Sequence, residues 1–298
     1  ETYATIFSLA PSYHDSNVIW AGSDDGYVHV TRDGGGSWSN VTPPDAPDFV
    51  RINTIEPSPI VPGKAFVAGI RYLVDDDRSP YVWRTEDYGR TWTKIVDGIP
   101  GDDFVRAVRE DPTRAGLLYA ASQSTVYVSW DDGDNWQSLA LNLPVVEVSD
   151  LVVERDDLVI GTHGRSFWVL RNIEPLRQIT DAVATAETHL FRPKDPVRSV
   201  DVGVEIYYTL MESVERVTIE FLDRTGAVVR SFESVREEES EEDDAESEAG
   251  PGAGARGPRP SLEAGSNRLL WNLRHEGYTD FEGRIFWAAG NNGPLAVP

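Results

Sequence analysis

Short alternating runs of apolar and polar residues fill the first half of the chain, and Gly, Pro and Asp separate them. An alternation with a period of two predicts half-buried β-strands. Such runs occur at residues 28–30, 82–84 and 126–128, each after a run of small and apolar residues at 19–22, 65–68 and 118–121. A further aligned run in each copy ends at Pro11, Pro57 and Pro112. The copies recur every ~45–55 residues, so we predict four short strands per copy, which is one blade of a β-propeller.

One eight-residue motif recurs at the same place in each copy. It reads T-R-D-G-G-G-S-W at residues 31–38 and returns at residues 85–92 and 129–136, where Asn135 replaces the second hydroxyl residue. A metal or phosphate loop needs to occur only once, so we interpret the motif as the hairpin between the third and fourth strands. Its Gly permits a positive φ, its Asp accepts hydrogen bonds from the turn, and its Trp is expected to be buried where blades meet. The predicted structural residues are Thr31, Asp33, Gly35, Trp38, Thr85, Asp87, Gly89, Trp92, Ser129, Asp131, Gly133 and Trp136.

A fourth copy follows without the complete motif. Strand patterns recur at residues 150–153, 158–162 and 166–170, but Asn172 stands in the place of the acid and no Trp follows. We therefore predict four propeller repeats over residues 1–175 and a connector at residues 176–186.

The motif resembles the Asp-box, or bacterial neuraminidase repeat (BNR), of sialidases, sortilin-type propellers and xyloglucanase-type propellers. Three longer stretches, Y-V-W-R-T-E-D-Y-G-R-T-W-T-K-I, D-D-F-V-R-A-V-R-E-D-P and G-T-H-G-R-S-F-W-V-L, are similar to large bacterial secreted proteins of the sortilin-like, glycosyl-hydrolase-repeat group. The resemblance covers essentially the whole chain. It implies an extracellular or periplasmic location, and it implies that the remaining propeller blades lie upstream in the same polypeptide or come from a partner.

The second half of the chain predicts a different β-fold. Alternating strands at residues 202–208, 216–222, 228–232 and 265–273 indicate a small sandwich of the fibronectin or immunoglobulin kind. We assign this sandwich to residues 187–298 and expect it to be incomplete at its C-terminus. An acidic and Gly-Pro-rich insertion at residues 236–261 has too little apolar material to order itself, so it is expected to be a disordered loop.

Composition excludes several classes of function. The net charge of -23 argues against binding to nucleic-acid phosphates, and the absence of Cys excludes disulfides and thiol chemistry. No apolar run of membrane length is present. We expect no cofactor; the acids Asp75, Asp76 and Asp77 leave Ca²⁺ as an alternative, because this ion prefers clustered oxygen ligands.

The candidate ligand-binding residues come from two places. Alignment of the repeats puts Arg51, Arg106 and Asp150 at the start of the innermost strands, where two arginines and an acid can grip an acidic or sugar ligand. Pairing of the arginines with neighbouring acids such as Asp102 and Asp103 explains them equally well. The Gly-flanked pair His163 and Arg165 forms the second candidate.

Two functions remain open. The first is an exported, non-catalytic propeller that binds a protein, a peptide or a polysaccharide. The second is a sialidase- or xyloglucanase-like glycoside hydrolase whose catalytic carboxylates lie mainly in further blades. No pair of acids in the sequence can be argued to converge, so binding is favoured and no catalytic residue is assigned.

Overall fold

The computed structural model describes residues 4–195, 203–236, 258–277 and 293–296. The chain divides into two compact units, Glu1–Ile173 and Glu174–Pro298. Most of the predicted insertion, residues 237–257, lies outside the described residues. No helix of the described part is long and apolar enough to cross a membrane.

The first unit consists of four small antiparallel sheets whose strands pair in chain order. We call these sheets blades 1 to 4. Blade 1 contains β1 (Ile6–Pro11), β2 (Ile19–Ser23), β3 (Val28–Thr31) and β4 (Ser39–Asn40). Blade 2 contains β5 (Arg51–Pro57), β6 (Ala65–Arg71), β7 (Asp77–Thr85) and β8 (Thr93–Lys94). Blade 3 contains β9 (Val105–Glu110), β10 (Leu118–Ser122), β11 (Val126–Ser129) and β12 (Gln137–Ser138), and blade 4 contains β13 (Val148–Glu154), β14 (Asp157–Thr162) and β15 (Phe167–Leu170).

The first strands of successive blades lie side by side. The backbone N–H of Ile55 donates to Ser8 Oγ at 2.9 Å, which joins β1 to β5. Thr54 Oγ1 donates to the carbonyl of Arg106 at 2.9 Å and joins β5 to β9. Arg109 Nε donates to the carbonyl of Leu151 at 3.0 Å and joins β9 to β13. This is the arrangement of consecutive blades around the axis of a β-propeller, so the repeat pattern predicted the propeller blades correctly.

Apolar side chains fill the space between neighbouring blades. Trp20 of blade 1 packs in one buried cluster with Ile52 and Trp83 of blade 2. Gly22 allows this close packing, because a Cβ at this position would collide with the side chain of Ile52. A second buried cluster joins Phe66 of blade 2 to blade 3. The removal of these side chains from water stabilises each blade against the next.

The repeated motif forms the loop between the third and fourth strands of blades 1, 2 and 3. In blade 2, Asp87 Oδ1 accepts hydrogen bonds from the backbone N–H of Thr91 at 2.9 Å and from Thr85 Oγ1 at 3.0 Å. The N–H of Gly89, whose φ is 82°, donates to Thr85 Oγ1 at 2.9 Å. The other two loops repeat this network around Asp33 and Asp131.

The tryptophans of the three loops differ in burial. Trp136 is buried and donates its indole N–H to the carbonyl of Ile95 in the preceding blade, at 3.0 Å. Trp92 donates its indole N–H to the carbonyl of Val41, at 2.7 Å. Trp92 is partly buried and Trp38 is 44% exposed, so the expectation that all three are buried holds for Trp136, holds in part for Trp92 and was wrong for Trp38. The other two donate their indole N–H groups to the blade before their own.

The second unit begins with two short helices, α1 (Glu174–Gln178) and α2 (Asp181–Ala184), which the sequence patterns did not predict. One sheet is formed by β16 (Thr188–Leu190), β17 (Val204–Leu210) and β20 (Gly265–Trp271), and a hairpin is formed by β18 (Arg216–Leu222) and β19 (Val228–Val235). Phe221 of the hairpin lies against Trp271, with ring centroids 4.0 Å apart. The two sheets thus share one apolar core, and the fibronectin- or immunoglobulin-like assignment stays a prediction.

Candidate functional site

The ends of the inner strands enclose a cavity in the first unit. Its volume is about 630 Å³. All four blades contribute to its wall, because β1, β5 and β9 end there and β13 passes beside it. The lining residues are Ala10, Pro11, Ser12, Tyr13, Ile55, Glu56, Pro57, Pro59, Arg109, Glu110, Pro112, Asp150, Val152 and Val153.

Arg109 organises the charged part of this cavity. Its Nη1 lies 3.2 Å from Glu56 Oε2, and its Nη2 lies 2.9 Å from Asp150 Oδ1 and 3.1 Å from Asp150 Oδ2. Since Arg109 Nε also donates to the carbonyl of Leu151, each of the three guanidinium nitrogens is engaged. The arginine is therefore held rigidly between the two carboxylates.

Glu56 is a buried acid in this arrangement. Burial raises the pKa of Glu56 to about 7, although Arg109 acts in the opposite direction. The same carboxyl raises the pKa of the Tyr13 phenol above its usual value, with burial as the next cause. Glu56 therefore exchanges its proton near neutral pH, at the wall of a cavity that solvent reaches.

Glu110 is the third acid of the wall. Its side chain is only 2% exposed, and its Oε1 accepts the backbone N–H of Gly116 at 3.1 Å. Its Oε2 is buried and has no hydrogen-bond partner among the described residues. A buried acceptor without a donor is costly, so this oxygen is an unsatisfied polar atom beside the cavity.

The remaining wall is apolar and rigid. Prolines at four positions and the ring of Tyr13 surround the charged residues. Tyr13 is 66% exposed, so its ring is available to a ligand. A few fixed polar groups within an apolar wall are typical of ligand-binding sites.

Of the five predicted binding residues, only Asp150 lines the cavity. Arg51 and Arg106 lie near the start of their strands, away from the ends that form the cavity. Their predicted equivalence is wrong by two residues, because the extra residue of the irregular pairing is Asn53 in β5 and Arg106 in β9. Counted from the motif loops, the strand pairing places Arg106 level with Asn53. The prolines that aligned the two repeats are therefore not equivalent in the sheets.

The two arginines have different surroundings. Arg106 forms an ion pair with Glu147 and stacks over the rings of Tyr72 and Phe104. Arg51 lies over the ring of Phe7, and no hydrogen bond or ion pair joins its side chain to a described residue. The alternative of structural pairing with a neighbouring acid thus holds for Arg106, whose partner is Glu147 and not Asp103. The carboxylate of Asp103 accepts hydrogen bonds from the hydroxyls of Ser122, Ser124 and Tyr127.

His163 and Arg165 are exposed in the loop between β14 and β15. The backbone N–H of His163 donates to the carbonyl of Glu147 at 2.8 Å, and the carbonyl of Arg165 accepts the indole N–H of Trp168 at 3.0 Å. Neither residue lines the cavity. The described contacts of this pair hold the loop in place, and its predicted role in binding stays a prediction.

The three consecutive acids do not converge on one point. Asp75 and Asp77 both pair with Arg71, and Asp76 pairs with Arg78. Within the described ranges no group of three His, Cys, Asp or Glu side chains is placed to hold a metal ion.

Sequence reasoning missed Glu56, Arg109, Glu110 and Tyr13. One signal was present: blade 1 ends its inner strand with Ala10-Pro11, whereas blades 2 and 3 place Glu56 and Arg109 at the second-to-last position of β5 and β9. Charged residues at one repeat position where another repeat has Ala indicate a local function rather than a shared structural role.

Comparison with known proteins finds similar solved structures but no matching family. No family model and no curated protein matches the sequence. A structure of YCF48 bound to D1 peptide is 20% identical, with a TM-score of 0.43, over 56% of this chain and 52% of that one. An ancestral GH74 enzyme is 17% identical (TM-score 0.48, 78% and 33% of the chains), and the GH74 xyloglucanase from Xanthomonas campestris is 16% identical (0.41, 64% and 31%). The chain thus spans about half of the first protein and about a third of the other two. Similarities at this level assign no function. The evidence for the blade arrangement is the strand pairing of the chain itself.

Proposed function

We propose that the first unit is a non-catalytic, ligand-binding propeller module of an exported protein, and that its ligand is a protein, a peptide or a polysaccharide. The observation that carries this proposal is the cavity of about 630 Å³ at the ends of the inner strands. It combines an apolar wall with a fixed cluster of Glu56, Arg109 and Asp150. Cavities of this size and composition bind ligands in other proteins.

One observation favours the second candidate, a glycoside hydrolase. Such enzymes place a carboxyl of raised pKa and a second carboxylate on either side of the bond that is cleaved. Glu56, whose pKa is raised to about 7, and Asp150 both line the cavity. However, the guanidinium of Arg109 lies between them and bonds to both. It fills the space that a glycosidic oxygen needs, so binding is the better-supported function.

The test is a combined glycan and peptide array probed with the intact chain, followed by product analysis of every hit. Tyr13→Ala opens the cavity wall at an exposed side chain, and Tyr27→Ala is the matched control, since Tyr27 is an exposed tyrosine of the same blade outside the cavity. We expect uncleaved ligands whose binding weakens in Tyr13→Ala and persists in Tyr27→Ala. Cleaved products that disappear in Glu56→Gln support the hydrolase instead. Equal loss in both tyrosine variants contradicts the proposed site.

A further inference from the structure

The charges of the cavity do not balance. Glu56, Glu110 and Asp150 supply three carboxyl groups, and Arg109 supplies the only cation among the lining residues. Even with Glu56 protonated, the lining residues include two further acids and one guanidinium. The cavity therefore favours a ligand with a positive charge.

Two of these acids have unused acceptor capacity. The side chain of Asp150 is 61% exposed to solvent. Its carboxylate accepts hydrogen bonds from Arg109 and from the backbone N–H of Leu151. Glu110 keeps its buried Oε2 without a hydrogen-bond partner among the described residues. Carboxylate oxygens each accept about two hydrogen bonds, so the exposed carboxylate of Asp150 can accept N–H donors from a ligand.

The residues around the acids indicate which kind of ligand carries the positive charge. Exposed Tyr13 offers a ring face to a cation, and Pro11, Pro57, Pro59 and Pro112 add apolar surface to the wall. Among polymers with apolar surfaces, peptides carry ammonium and guanidinium groups routinely. The net charge of -23 on the whole chain attracts basic partners over long distances.

We infer that the ligand of this cavity is a peptide segment that presents a lysine or arginine side chain to Asp150, Glu56 and Tyr13. This inference rests on the proposed function and names the class of ligand for the same site. The basic side chain lies against the open oxygens of Asp150, and the flanking backbone runs along the proline-lined rim.

Binding of such a side chain is coupled to the proton on Glu56. The groups that face Glu56 are Arg109 and Glu110 of β9, Asp150 of β13 and Tyr13 after β1. A ligand cation stabilises the ionised carboxylate, so binding strengthens as the pH rises through the pKa of Glu56, which is about 7. Lysine and arginine remain charged throughout this range.

The experiment compares two probe peptides by titration calorimetry at physiological ionic strength. The probes are acetyl-Pro-Lys-Pro-amide and acetyl-Pro-norleucine-Pro-amide, which differ in the ammonium group alone. We expect the lysine probe to bind roughly tenfold more tightly than the norleucine probe and to lose that advantage in Asp150→Asn. Glu154→Gln is the matched control, since Glu154 is an exposed acid of the same strand that does not line the cavity, and it is expected to bind like the unchanged protein.

The pH dependence is measured with the same lysine probe. Its affinity is expected to rise several-fold between about pH 6 and about pH 8, and Glu56→Gln is expected to bind it equally at both values. Equal binding of the two probes, or an unchanged affinity in Asp150→Asn, overturns the inference. If neutral peptides or glycans then bind in a manner that depends on Tyr13, the proposed function survives and only the basic ligand class is lost.

Discussion

Glu56 and Arg109 occupy the same position in neighbouring inner strands and meet through an Oε2–Nη1 contact of 3.2 Å. Each is the second-to-last residue of its strand, so the repeat itself sets them face to face. The pair is buried on the Glu56 side and more open on the Arg109 side. The ion pair therefore does not outweigh the loss of water around the carboxyl, and Glu56 keeps a proton that an exposed glutamate would release.

This raised pKa predicts how stability changes with pH. The folded pKa of Glu56 is about 7 against 4.5 for an ordinary glutamate, so between these values the unfolded chain releases a proton that the folded chain retains. The contribution of Glu56 to stability is therefore complete below the unfolded pKa of 4.5 and is lost as the pH rises through the folded pKa of about 7. The full loss is about 3 kcal/mol in the free energy of unfolding. Glu56→Gln has no proton to lose.

Urea unfolding of both proteins at about pH 5 and about pH 8 measures this difference. The unchanged protein is expected to lose more unfolding free energy between the two values than Glu56→Gln. Equal losses in the two proteins mean that Glu56 titrates like an exposed acid. Groups remote from Glu56 titrate identically in both proteins, so the comparison isolates Glu56 and the groups coupled to it.

The motif loops predict a strong effect of one acid and a weak effect of its neighbour. Asp87 accepts hydrogen bonds from the backbone and side chain of Thr91 and from Thr85. Asp87→Ala leaves these donors without a partner, so we expect a loss of about 1–3 kcal/mol of unfolding free energy. Glu86→Ala, in the same loop, removes only an exposed carboxylate that lies 3.7 Å from Arg84, and we expect a loss of less than about 0.5 kcal/mol. Similar losses in the two variants by urea unfolding refute a structural role for Asp87.

The tryptophans offer a second matched pair. Trp136→Phe removes the indole N–H that donates to the carbonyl of Ile95 between blades, so we expect a loss of about 1–3 kcal/mol. Trp38→Phe changes the equivalent residue of blade 1, which is 44% exposed, and the expected loss is below about 0.5 kcal/mol. Thermal or urea unfolding measures both. A large loss in Trp38→Phe would show that Trp38 is covered in solution.

The sequence predicted the blades well and the cavity poorly, for a physical reason. Blade strands and motif loops depend on local patterns, because alternation, Gly at positive φ and short polar turns act within a few residues. Glu56, Arg109 and Asp150 come together across three blades, and strand register decides which of them meet. A two-residue error in aligning β5 with β9 was enough to direct attention to Arg51 and Arg106 instead.

These two arginines give the last prediction, since their surroundings differ although their sequences look alike. Arg51 is a partly buried cation whose pKa is lowered by burial first and then by Arg106 among its neighbouring charges. No described side chain pairs with it, so Arg51→Met removes a poorly solvated charge and retains the contact with Phe7. We expect an unfolding free energy within about 0.5 kcal/mol of the unchanged protein, or higher.

Arg106→Met has the opposite effect. It leaves the partly buried carboxylate of Glu147 without its guanidinium, and the expected loss is about 1–2 kcal/mol. The double variant Arg106→Met with Glu147→Gln is expected to recover part of that loss, because it removes the unpaired charge as well. Urea unfolding of the three variants measures these changes in stability. The lysine probe is expected to bind all three variants like the unchanged protein, since neither arginine lines the cavity. If Arg51→Met binds the probe more weakly without losing stability, Arg51 belongs to the binding site after all.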